Sequence, residues 1–336
     1  MRHSPATLTA LAALTALCAA AGASAHHGTP FFDSDTELRY EGVVIEFDYR
    51  NPHSWLYIRT TDASGNPLDL AIEGQGSSLR PHGVTPDSLV AGDRVTAVVN
   101  PSWTRPDEAL GRMVFKEDGT MVPLAWQAVG TYETNTGVTD SIAGTWLADN
   151  EGFVAYIRAY ESWPLTQSGQ QAREAYDPTR ISQARCIPFP PPLLMLYRSI
   201  NVVEILDDRV LIHSDWMDAE RVIYTDARSP GEDEIPALHG FSTGRWENGT
   251  LAVETNHFSE NYAGNNFRVP SGPEKRVVER FTLAEDGSHL TYDYVMEDPE
   301  YLAAPVTGTT RWDYRPELSP DDVPCDLESA GRYLNE

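Results

Sequence analysis

From residue 38 to residue 314, apolar side chains recur mostly at every second position, in runs cut by short turn signals. A period of two is the pleat of a half-buried β-strand, whereas an amphipathic helix needs a period of 3.6. The longest run is Leu38-Arg39-Tyr40-Glu41-Gly42-Val43-Val44-Ile45-Glu46-Phe47-Asp48-Tyr49. Residues 54–60, 68–73, 94–99 and 112–116 follow, with Gly65-Asn66-Pro67, Gly92-Asp93 and Asp118-Gly119 as turns. Five or six short strands in about 100 residues, the first long enough to bend, suit a small barrel of the OB type.

The stretch 129–142 is rich in Thr and Gly and poor in large apolar residues. It marks a linker at 131–141 between a first unit, 26–130, and a second, 142–336. The second opens on Gly144-Thr145-Trp146 and carries strand patterns at 201–206, 209–214, 220–226, 244–247, 250–256, 275–283, 289–297 and 309–314. Only 161–182 has helical composition, chiefly 167–176; Cys186-Ile187-Pro188-Phe189-Pro190-Pro191-Pro192 is a rigid extended segment. The expected fold is therefore all-β: an OB-like barrel, then a lipocalin-like antiparallel barrel, a shape that commonly holds one small ligand. Asn248-Gly249 is a strong two-residue hairpin signal, so Glu247 should face Thr250, Trp246 face Leu251 and Arg245 face Ala252.

Residues 1–25 read as a secretory signal peptide: Arg2, an uncharged run over 8–21, then the small-x-small pattern Ala23-Ser24-Ala25. The expected location is the periplasm or outside the cell, with no transmembrane segment, since no later run approaches ~20 apolar residues. Cleavage removes Cys18 and leaves Cys186 and Cys325, which most simply form one disulfide in an oxidising compartment, with two separate thiols as the alternative. Lysine and arginine total 25 against 50 acidic residues, a net charge of −25. That balance disfavours nucleic acid and anionic membranes as partners.

Two stretches resemble uncharacterised exported bacterial families. In 26–127 the resemblance rests on His26-His27, Phe31-Phe32-Asp33, Glu41-Gly42-Val43-Val44, Phe47, Asn51-Pro52-His53-Ser54-Trp55 and Gly92-Asp93-Arg94-Val95. In 142–330, a β-barrel family is matched at Arg221-Val222-Ile223-Tyr224-Thr225-Asp226-Ala227-Arg228, Gly244-Arg245-Trp246-Glu247-Asn248-Gly249-Thr250-Leu251, Val278-Glu279-Arg280-Phe281 and Glu297-Asp298-Pro299. The resemblance implies the two-unit layout and carries no activity with it.

Three sets of side chains are candidates for function. Trp146, Tyr224, Trp246, Tyr292, Tyr294 and Trp312 would line or plug the second barrel, whose ligand is then a small, largely apolar molecule. Arg245, Glu247, Glu254 and His257 would supply acid/base groups for an isomerase, hydratase or lyase if the polar hairpin face looked inward. If it looks outward they are ordinary surface pairs. Cleavage after Ala25 would expose the α-amine of His26, which with its own imidazole, His27 and His53 is a nitrogen set suited to copper. Asn51-Pro52-His53 itself reads as a turn between the first two strands.

Overall fold

A computed structural model describes residues 31–125, 128, 137–231, 235–320 and 323–332. The chain is all-β, with a closed barrel of five strands followed by one of nine. The first is built from β1 (Leu38–Asp48), β2 (Ser54–Thr61), β3 (Pro67–Gly74), β4 (Arg94–Pro101) and β5 (Glu108–Lys116), with β6 (Met121–Pro123) paired to β5. Leu56, Ile58, Leu70, Ile72, Val99 and Val114 fill its centre.

The second unit contains β7 (Gly144–Ala148), β8 (Ile200–Ile205), β9 (Arg209–Ser214), β10 (Ala219–Tyr224), β11 (Phe241–Glu247) and β12 (Thr250–Asn256). A side hairpin, β13 (Asn261–Asn266) and β14 (Val269–Ser271), precedes β15 (Arg276–Leu283), β16 (His289–Glu297) and β17 (Val306–Tyr314). All but the side hairpin form one closed ring, shut by pairing of β17 with β7. The hairpin register is the expected one, with Glu247 opposite Thr250, Trp246 opposite Leu251 and Arg245 opposite Ala252.

Neighbouring strands can alternate in direction all the way round a closed ring only if their number is even. Both rings are odd, so each must contain a parallel pair, and each does: β3 with β5, and β10 with β11. The β10–β11 pairing spans only Ile223–Ser242 and Tyr224–Thr243, which makes it the shortest seam of the larger barrel.

Helices sit in the long β7–β8 connection. The sequence pattern places helix only within 161–182, where α2 (Gln167–Glu174) is found behind its Thr166 cap. A further helix, α1 (Glu151–Ala159), lies upstream, buries Phe153 and Tyr156, and has its first N–H groups held by Asp149 Oδ1. The Pro-rich segment leads into α3 (Leu193–Leu196), all four of whose side chains are buried. A short α4 (Leu327–Gly331) lies in the C-terminal segment. Among the described residues no helix is long and apolar enough to cross a membrane.

The two barrels are joined by the Asn51 turn and the C-terminal segment. Cys325 is disulfide-bonded to Cys186, 139 residues earlier, and forms a parallel bridge with Asn51. Asp326 N–H donates to Asn51 O at 2.7 Å, Arg50 pairs with Asp326 at 2.9 Å, and Ser329 Oγ donates to His53 O at 2.6 Å. Gly76 backs the turn at φ 49°, where an added Cβ would lie 2.3 Å from Arg50 O.

Candidate functional site

Strand parity decides what the large barrel encloses. Trp146, Phe281, Tyr292 and Trp312 are fully buried in its core. Tyr292 lies 5.0 Å from Phe281 and 6.3 Å from Trp312, centroid to centroid, and Trp146 packs on Tyr314 at 5.0 Å. The two buried indoles are also satisfied, Trp146 Nε1 donating to Ile142 O and Trp312 Nε1 to Met195 O, both at 2.9 Å. The second bond ties the barrel wall to α3. Tyr294 packs beside Tyr292 at 6.0 Å. Tyr224 has the opposite parity and stacks on Phe241, with the Arg228 guanidinium 4.2 Å from its ring centre. Trp246 shares the side of Leu251 and Val253 as expected, yet it stands next to the turn and is 45% exposed.

The core row also contains charge. Arg221 is buried and grips Glu279 with both terminal nitrogens, one at 2.8 Å. Thr255 Oγ1 accepts from Arg221 at 2.9 Å, and Tyr292 Oη donates to Glu279 at 2.7 Å. Lys275, also buried, donates to Gly264 O at 2.7 Å and lies 5.0 Å from the centre of the Phe258 ring. Burial lowers its pKa to about 7, against the pull of Asp298 and Glu279. His239 covers the open part of the β10–β11 seam, its Nδ1–H donating to Glu220 O at 3.0 Å; burial lowers its pKa to about 4. Tyr292 is among the aromatic candidates read from the sequence, whereas Arg221, Glu279 and Lys275 are not among its candidate site residues. The available signal was two opposite charges, Arg221 and Glu279, each alone in an apolar inward row.

The hairpin's polar face looks outward. Arg245 pairs with Glu247 at 2.6 Å, Arg280 also reaches Glu247, and Glu254 pairs with Arg276 at 2.8 Å. These partners hold both carboxyls below the usual glutamate range, chiefly by hydrogen bonding. His257 stands just beyond β12 at φ 59°, its carbonyl accepting from Ala237 N–H.

A cleft of about 340 Å³ opens outside the barrel, where the helical connection meets the side hairpin. Tyr160, Glu161, Arg173, Glu174 and Arg268 line it. The Arg268 guanidinium lies 5.8 Å from the Tyr160 ring centre and 5.5 Å from that of Tyr176. Tyr176 stacks on Tyr262, which carries Arg180 at 4.2 Å on its ring. Burial pushes the Tyr176 hydroxyl up to about 12, so that phenol keeps its proton at physiological pH.

In the small barrel, His53 is buried with Nδ1 2.7 Å from Glu73 Oε1. His26 and His27 lie outside the described residues, and among the described residues no three His, Cys, Asp or Glu side chains gather as a metal-binding group. Asn51 does more than shape a turn. Its Nδ2 donates to Asp215 O at 2.9 Å and Val323 O at 3.1 Å, so one side chain holds both the second barrel and the C-terminal segment. No curated protein matches the chain. Residues 14–110, a span that includes the Asn51 turn, are similar to a family of unknown function, DUF6152.

Proposed function

We propose that the chain is an exported binding protein whose second unit takes up a small, largely apolar molecule in the cleft between its helical connection and its side hairpin. Export rests on the Ala23-Ser24-Ala25 pattern and agrees with the Cys186–Cys325 disulfide. The observation that carries the reading is the packing inside the barrel. Trp146, Phe281, Tyr292 and Trp312 occupy its core and α3 is anchored to its wall, so the ligand belongs in the cleft outside.

That cleft fits the part. Its volume is at the lower end of the range for small-molecule sites, roughly 300–1,000 Å³. Tyrosine rings offer flat apolar contact, and the Arg268 guanidinium beside the Tyr160 and Tyr176 rings offers a cationic donor, although Glu161 and Glu174 balance the two arginines of the lining. The favoured ligand is a planar molecule with one anionic group, for which 2-naphthoate is a suitable probe. Calorimetric titration should give saturable binding that weakens at least about tenfold in Arg268→Ala, the loss of a charge-assisted contact. Undiminished affinity in that variant would place the ligand elsewhere and sink the reading.

A further inference from the structure

The face of β2, β3 and β5 that points away from the small barrel's core is not an ordinary solvated face. Register sets Tyr57 beside Ala71 and Ala71 beside Glu108, and in the next row Trp55 beside Glu73. Their neighbours along the strands, Leu56, Ile58, Leu70, Ile72 and Ala109, fill the barrel. Alternation therefore puts Trp55, Tyr57, Glu73 and Glu108 on the outside. Yet Trp55 and Glu73 are each 2% exposed and Glu108 is 4% exposed: Arg332 of the C-terminal segment lies on Trp55 and Glu108, and His53 stands against Glu73.

What that segment inserts is a guanidinium. The Arg332 Cζ lies 3.6 Å from the centre of the Trp55 ring. One terminal nitrogen donates to Tyr57 Oη at 3.1 Å and the other to Glu108 Oε1 at 2.9 Å. Arg105, 3.0 Å from the same carboxylate oxygen, steadies Glu108 from the side. Stacking on an indole, a charge-assisted bond and a neutral acceptor together match a flat, forked cation. A compact ammonium could satisfy the carboxylate but could not lie flat on the ring while reaching both oxygens. Tyr57 and Glu108 hold the Arg332 pKa above its ordinary value against the cost of burial. The small side chain of Ala71 leaves the floor between Tyr57 and Glu108 low.

We propose that this face is a guanidinium-binding site of the N-terminal barrel and that Arg332 is its tethered occupant. The receptor residues Trp55, Tyr57 and Glu108 all belong to the first unit, whereas Arg332 is delivered by α4, capped by Asp326 and held by the Cys186–Cys325 bond. Tethering gives Arg332 a high effective concentration, so a free guanidinium competes poorly until the arginine is removed. The ligand class is a guanidinium on a flexible aliphatic chain, as in an arginine side chain of another molecule.

The test uses the full chain, with n-butylguanidine and n-butylamine as probes in calorimetric titration. Arg332→Ala should bind butylguanidine saturably, with at least about tenfold preference over butylamine and over the wild-type chain. Adding Glu108→Gln should abolish that binding. Absence of binding by a natively melting Arg332→Ala chain would overturn the proposal, as would equal binding by the wild type or equal uptake of butylamine. If Arg332→Ala does not fold, Arg332→Lys takes its place. Its ammonium should be displaced by butylguanidine, and failure to displace it overturns the proposal in the same way.

Discussion

Asn51 and Asp215, 164 residues apart, are joined by a buried hydrogen bond in which the Asn51 amide donates to the Asp215 carbonyl at 2.9 Å. The bond lies where the chain of the second barrel is bent, since Met217 and Asp218 follow at φ 57° and 53°. Asn51→Ala should leave the Asp215 and Val323 carbonyls without this donor and lower stability by roughly 1–3 kcal/mol. Equilibrium urea unfolding measures the loss, and amide exchange at Met217 should rise with it.

Arg221 and Glu279 were placed in the barrel core at the cost of removing both charges from water. Removing one partner strands the other, so Arg221→Met or Glu279→Met alone should destabilise by about 3–5 kcal/mol. The double variant should recover most of that loss, since an apolar pair suits the surrounding rings. A double-mutant cycle from thermal or urea melts decides it; additive losses would contradict the buried-pair account.

Lys275 makes stability depend on pH in a definite direction. Its pKa is about 7 in the fold against an ordinary 10.5, so between those values the unfolded chain holds a proton that the folded chain lacks. Stability from this group therefore rises with pH from about 7 to about 10.5, and below 7 the full penalty for burying the charge applies. Lys275→Met should gain most over wild type at about pH 6, with the gain shrinking towards about pH 10, as urea midpoints at the two values would show.

The Cys186–Cys325 bond closes a loop of 139 residues in sequence separation. Chain entropy assigns a loop of that size about 4–5 kcal/mol. Replacing both cysteines by alanine should cost up to that amount and loosen the C-terminal segment first. Hydrogen exchange should quicken over residues 323–332 while β1 keeps its protection.

Much of the architecture was legible because alternation and turn chemistry are local. The Asn248-Gly249 turn fixed a register the structure repeats residue for residue, and Cys186 and Cys325 form the disulfide expected of them. Helix α1 was missed although Phe153, Tyr156 and Tyr160 recur at helical spacing and Asp149 holds its first turn, because Gly152 and the β-branched Val154 and Ile157 give it a weak helical composition. Alternation also fails to say which face is covered. Ser54-Trp55-Leu56-Tyr57-Ile58 is apolar on both faces, a mark of a strand buried on both sides, but nothing nearby names the covering segment. That segment lies some 275 residues on, as does the partner of His53 O. Candidate sites suffered most from this distance: Arg221 with Glu279, and Asn51 with Asp215, are pairs made only by closure of the fold.

The pairing of β7 with β17 sets an order of events during synthesis. The five-stranded barrel has all its strands once Pro123 has emerged, whereas the nine-stranded one lacks its closing strand until Val306–Tyr314 follow. Through that interval the Trp55–Tyr57 face waits uncovered, since its lid is made last. A nascent chain thus carries a finished small barrel with a sticky aromatic flank beside an unclosed sheet, the kind of intermediate that exposes unpaired edges to its neighbours. Folding helpers would be needed most in that interval, and a chain stalled before residue 306 should be far more prone to aggregate than one that has reached residue 332.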